Sequence, residues 1–204
     1  PKSNRSVVEV VDEILSADPN AAALAINWQV FGSNGQEKAD YSRGVLERFT
    51  QRAPKEWSGK VRNITVGNIH VNTLANPRAI NFSHSPHTCI YFAGLYSVNE
   101  NGNAVRGPFN IPVTTDKIVI NHYYTKSREE FFARKSQPRA DSLGPQSHLA
   151  EELFNAYDHN EEFDDGILKY RDERAKVYQP PDDSRINERL LNALMVNLSP
   201  TFIE

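Results

Sequence analysis

A chain of 204 residues, 39% apolar and 24% charged, is long enough for one α/β domain with its own core or for two small ones. A net charge of −3 creates no basic field, so no nucleic-acid partner is expected. The single cysteine, Cys89, excludes an internal disulfide framework and a zinc ribbon, and it fits a reducing compartment. No apolar run approaches the roughly 20 residues of a membrane span, and no signal peptide is visible.

Ser6–Leu15 carries apolar residues at helical spacing and predicts an amphipathic helix, which Asp18 and Pro19 end. Ala21–Phe31 is a long apolar run that predicts a buried strand, closed by a Gly32-Ser33-Asn34-Gly35 turn. Tyr41–Arg52 predicts a short helix. Val61–Val66 alternates as a strand does, and Ile69–Val71, Ala79–Phe82 and Thr88–Phe92 are further strand candidates. Asn99–Pro112 is rich in Asn, Gly and Pro and predicts a loop. The apolar β-branched run from Ile118 predicts a buried strand. Helical stretches follow at Ser127–Lys135, Ser147–Tyr157, Asp164–Val177 and Asp183–Val196. Strands dominate the first two thirds and helices the last. The expected organisation is an α/β sheet-containing part over residues 1–135, with a helical extension over 136–204 packed on the same domain.

The segment IVINHYYTKSREEF (Ile118–Phe131) carries the strongest chemical signal. A strand delivers Asn121, His122, Tyr123 and Tyr124 to its end. Lys126 follows, and Ser127 opens a helix with Glu130 three residues on, the spacing of a capping box. Free N–H groups and the helix dipole converge at such a junction and suit an anion. His122 is either a metal ligand or a strand-end histidine bonded to backbone. Lys126 is either a diphosphate-binding cation or a solvated lysine. Glu130 is either a general base or the structural member of the cap. His84 and His87 form a second cluster, near Cys89 and His70, that suits a shared metal or a sugar phosphate. Trp28 suits either sugar stacking or core packing. In the acidic run Asp158–Asp165, Asp164 or Asp165 is expected to cap a helix and the rest to be solvated. No G-x-S-x-G, H-E-x-x-H or CxxC is present, which leaves serine hydrolase, zincin and thioredoxin-like chemistry without support.

Five segments occur in one order: INWQVFGSNG (Ile26–Gly35), GVLERFTQRAP (Gly44–Pro54), SPHT (Ser85–Thr88), INHYYTKSREEF (Ile120–Phe131) and FDDGILKY (Phe163–Tyr170). Together they resemble bacterial family 2-like glycosyltransferases, close to the family 92 group. The resemblance implies a partial GT-A fold, a mixed sheet with a helical C-terminal extension. It also implies transfer of a sugar from a nucleotide-sugar to a saccharide or lipid-linked acceptor, with inversion and with Mn²⁺ or Mg²⁺. By that likeness His122 is the metal ligand and Lys126 the diphosphate contact. Trp28, Gly32, Asn34, His87 and Tyr124 are placed in the substrate pocket, and Glu37 and Glu130 are the candidate bases. Such enzymes carry an Asp-x-Asp motif that has no counterpart here, so this chain is expected to be the C-terminal portion of a longer transferase. The other expectation is a non-catalytic carbohydrate- or partner-binding module derived from one. A metal-dependent phosphate-ester hydrolase is a third reading, and it needs a carboxylate cluster. The family's relatives usually carry a glycine shortly after the K-S-x-E-E-F helix, where this chain has QPRADS (Gln137–Ser142). The resemblance implies a cytoplasmic location, at the inner face of the membrane. The apolar stripe Ile186, Leu190, Leu191, Leu194 and Met195 suits core packing, a homo-oligomer contact or peripheral membrane docking.

Overall fold

The computed structural model describes residues 1–83, 85–137 and 149–170. The chain divides into a unit spanning Pro1–Gly166 and a second spanning Ile167–Glu204. The first unit is a mixed α/β body built on one strand.

That strand is β1 (Ala21–Val30), buried along nearly its whole length, as its apolar sequence requires. Ala23–Asn27 pair antiparallel with β5 (Val71–Ala75). On the opposite edge β8 (Tyr96–Val98) pairs in parallel with Ala21–Leu24, and β10 (Ile120–His122) pairs in parallel with Trp28–Val30. β9 (Ala104–Val105) extends the sheet beyond β8. Beyond β5, the Trp28 N–H donates to the His70 carbonyl and the Val30 N–H to Asn68 Oδ1. Both edges of β1 are therefore satisfied to its end.

Helix α1 (Val7–Ser16) starts at a capping box: Ser6 Oγ accepts the Glu9 N–H, and Glu9 accepts the Ser6 N–H at 2.7 Å. Its Val10 and Ile14 pack on Leu24, Ile26, Val98 and Ile118. The same face of β1, two residues on, presents Trp28 and Val30 to α3 (Arg128–Lys135) and α4 (Ala150–Tyr157) through Phe131, Leu153, Phe154 and Tyr157. The other face carries a buried amide network. Asn27 Oδ1 accepts from Asn110 Nδ2 at 2.7 Å and from the Thr114 N–H at 3.1 Å, and Asn99 Nδ2 donates to Asn110 Oδ1. Glu100, 2% exposed, accepts the N–H groups of Asp116, Lys117 and Ile118 at 2.7, 2.9 and 2.9 Å and so fixes the approach to β10.

Several elements differ from the sequence-based expectation. Val61–Val66 is a hairpin, β3 (Ser58–Val61) against β4 (Ile64–Gly67), because Arg62 adopts φ 54° and reverses the chain. The helix expected over Tyr41–Arg52 is a single turn, α2 (Val45–Arg48). Gln51–Arg52 instead forms β2, which pairs with β11 (Glu162–Phe163). β6 (Ile80–Ser83) and β7 (Cys89–Tyr91) form a separate hairpin. The Asn99–Pro112 loop contains β9. Asp164–Val177 shows a 3-10 helix at Gly166–Tyr170 in its described part. His84, most of QPRADS, the Asp183–Val196 helix and the Ile186–Met195 stripe lie outside the described residues. Among the described residues no helix is long and apolar enough to cross a membrane.

Candidate functional site

Pairing of β1 with β10 places Trp28 beside Ile120 and Val30 beside His122, so these side chains share one face. His70 approaches from the opposite edge of β1. The indole is thus flanked by two imidazoles: His122 stacks at 3.9 Å and 11°, His70 at 4.8 Å and 17°. His87 tilts against both Trp28 and His70. Trp28 Nε1 donates to Asn72 Oδ1 at 2.7 Å. The indole is 8% exposed and its faces are covered, so Trp28 packs the core and presents no open ring for a sugar.

The histidines are tied down differently. His70 Nδ1 lies 3.1 Å from the Gly67 carbonyl and His87 Nδ1 lies 2.9 Å from the Val71 carbonyl. A carbonyl only accepts, so each ring donates its Nδ1–H there and turns Nε2 away from that bond. Burial, opposed by the Gly67 bond, lowers the pKa of His70. Among the described residues, the buried His122 Nδ1 has no hydrogen-bond partner. Burial first, then the charges of Arg134, His70 and His87, lowers the His122 pKa from 6.5 to about 4. It is therefore a neutral imidazole at pH 7. A buried, neutral, unpartnered ring nitrogen fits the role of a ligand. Among the described residues no group of three His, Cys, Asp or Glu side chains comes together to hold a metal ion.

The β10–α3 junction differs from the open anion site expected of it. The first N–H groups of α3 are already engaged: Arg128 N–H donates to the Gln36 carbonyl, Glu129 N–H to the Glu37 carbonyl, and Glu130 N–H to Ser127 Oγ. Glu130 completes the capping box and grips Arg48 with both oxygens, at 3.2 and 2.6 Å. Burial pushes its carboxyl up, but Arg48 and Ser127 outweigh this and hold it at about 2. This carboxylate is a structural anchor and is poorly suited to accept a proton. Glu37 is exposed on the other side of the turn, 3.9 Å from Arg128.

Beside the cap lies a pocket of about 320 Å³ lined by Tyr41, Thr125, Lys126, Glu130, Ala133 and Arg134. Lys126 adopts φ 54°, a left-handed backbone uncommon outside glycine, asparagine and aspartate. Tyr124 turns the other way and packs, 4.0 Å from Tyr157 and 5.6 Å from His122.

The GSNG turn is built rather than open. Asn34 (φ 52°) spends its side chain on Thr50 and on the Gln51 N–H. Asp158 Oδ1 accepts the Ser33 N–H at 2.6 Å and Asn160 Oδ1 accepts the Asn34 N–H at 2.8 Å. A Cβ on Gly32 would stand 2.3 Å from the His159 carbonyl, so only glycine admits this loop. From the acidic run Asp158 thus docks on the turn beside Asn160, whereas Glu161 and Asp165 are exposed as expected. Asp164, which accepts the Gly166 N–H, also binds Arg52 at 3.2 Å.

The structure brings together His122, Trp28, His70 and His87 on one face, and it sets Lys126 beside Glu130 at the strand–helix junction. It leaves Gly32, Asn34 and Glu37 in separate structural roles. Sequence reasoning missed Arg134 and Tyr41 in the Lys126 pocket, and the signal for Arg134 was its position one turn after Glu130. No protein-family model, curated protein or solved structure matches this chain.

Proposed function

We propose that this chain forms the acceptor-side part of a metal-dependent, inverting glycosyltransferase of GT-A type. In this reading it moves a sugar from a nucleotide-sugar to a saccharide or lipid-linked acceptor in the cytoplasm, at the inner face of the membrane. One observation carries the reading: a neutral histidine with an orphaned ring nitrogen ends a parallel strand one turn before a cation-lined pocket. Strand C-termini of parallel sheets are where α/β proteins meet their ligands. His122 is the ligand this body offers to Mn²⁺ or Mg²⁺, which when bound would neutralise charge on the departing diphosphate. Lys126 meets the diphosphate. Trp28, His70 and His87 act behind His122, holding its ring and excluding water.

The base that deprotonates the acceptor is not Glu130, whose carboxylate is engaged at both oxygens. A second reading, a non-catalytic saccharide- or partner-binding module, is favoured by that same fact: among the described residues Glu130 is the one carboxylate lining the Lys126 pocket. Calorimetry with UDP and then GDP, with and without Mn²⁺, separates the two. Manganese-dependent binding that weakens in His122→Ala supports the transferase. Metal-independent binding of a saccharide, with no nucleotide bound, supports the module.

A further inference from the structure

Arg134 sits one helical turn after Glu130, the spacing at which a glutamate and an arginine normally pair. The pairing does not form, because the buried Arg48 takes both Glu130 oxygens. Arg134 instead donates to the Tyr124 carbonyl at 2.6 Å and lies over the rings of Tyr124 and Phe131, at 5.1 and 5.5 Å. These contacts aim the guanidinium without neutralising it. Its charge is felt at His122, where it helps to suppress protonation. Lys126 lines the same pocket, and among the described residues its ammonium has no carboxylate within salt-bridge distance. Two cations therefore face one cavity whose single carboxylate, among the described residues, is committed to a third. The left-handed backbone of Lys126 is a cost that the fold bears at this position. Tyr41, 82% exposed, stands at the rim as a free aromatic surface. A cavity of this size admits a phosphate or a diphosphate.

We propose that Arg134 and Lys126 together form a binding pocket for a phosphate-type anion, with Arg134 the second phosphate-binding residue and Tyr41 the flank for the group attached to it. The assignment rests on the transferase reading for the source of the phosphate, a nucleoside diphosphate. A phosphorylated lipid would present the same chemistry. Arginine offers a planar two-pronged donor that lysine does not, so Arg134→Lys is not a conservative change here.

The test is calorimetric titration of pyrophosphate, without metal, into the chain and into Arg134→Gln, Lys126→Gly and Arg62→Gln. Arg62 is an exposed arginine paired with Glu152 away from the pocket, and it controls for bulk charge. Lys126→Gly keeps the fold because glycine adopts a left-handed backbone freely. Circular-dichroism melting checks each variant. Loss of one charge-assisted contact predicts pyrophosphate binding weaker by about tenfold or more in Arg134→Gln and in Lys126→Gly, with Arg62→Gln unchanged. Equal binding by folded Arg134→Gln and the unmodified chain overturns the assignment, as does absence of pyrophosphate binding to the unmodified chain. Parallel titrations with UDP plus Mn²⁺ and with phosphatidylcholine vesicles containing phosphatidic acid identify the source. His122-dependent UDP binding that ignores Arg134 leaves the transferase standing and removes this pocket. Pyrophosphate binding that needs both cations, with UDP bound no more tightly, keeps the pocket and removes the nucleotide.

Discussion

Replacing Glu130 by glutamine separates an anchor from a catalyst. The Arg48 side chain is 2% exposed and that of Glu130 10%, so the pair is shielded from solvent. Glutamine keeps the size of the side chain and removes its charge, leaving the Arg48 guanidinium buried without a counter-ion. Holding a carboxyl at about 2 rather than 4.5 corresponds to roughly 3 kcal/mol in favour of the ionised form. Breaking one partner of a buried pair costs about 3–5 kcal/mol by an independent route. Both figures place the loss near a quarter or more of the stability of an ordinary domain. The sign follows from the depressed pKa. The contribution is fully present above pH 4.5 and is lost as pH falls through about 2. Urea unfolding followed by circular dichroism from pH 7 to pH 2.5 therefore gives a gap between the two proteins of about 3 kcal/mol at pH 7, narrowing toward the acid end. A gap under about 0.5 kcal/mol at pH 7 refutes the anchor, since that is the range of an ordinary surface substitution. A fully stable variant that loses only turnover would restore Glu130 as the base.

Other consequences are as direct. His122 is held near pH 4, so between pH 6.5 and 4 the unfolded chain takes up a proton that the folded chain refuses. Stability then falls across that window by up to roughly 3 kcal/mol, and His122→Phe flattens it. An NMR titration of the His122 ring with a midpoint near 6.5 would contradict this. Gly32→Ala drives a methyl into the His159 carbonyl and should cost about 1–3 kcal/mol in a thermal melt. Asn110→Ala removes the partner of Asn99 Nδ2 and one of the donors to Asn27, and chemical unfolding should show a loss of about 1–3 kcal/mol.

What was legible in the sequence is what short range dictates. The S-x-x-E box at Ser127 forms as spaced, since it is closed within four residues. The Ala21–Phe31 run forms the central strand because no other element could hide so much apolar surface. The mixed α/β class followed from these. The features that define the site are long-range and left no local mark. Arg48 finds Glu130 82 residues away, and Asp158 finds the Ser33 N–H 125 residues away. Alternation over Val61–Val66 reads as one strand because a two-residue reversal at Arg62 does not disturb it. The helix N-terminus looked free because the carbonyls that fill it belong to Gln36 and Glu37, on a distant loop.

The parallel contact of β1 with β10 has a consequence for the order in which the protein is made. Thr125 reaches the Phe31 carbonyl across 94 residues, and the Trp28–His122 stack depends on the same closure. A nascent chain exposes one edge of β1 until residue 122 has emerged, and that edge is apolar and unpaired over Trp28–Val30. Contacts between such distant residues form late, because the chain entropy of closing the loop is lost before the contact returns anything. The stacked histidines are thus among the last parts to assemble. In a Trp57→Phe background, fluorescence of Trp28, quenched or shifted on stacking, would report completion of the whole body rather than of any one element.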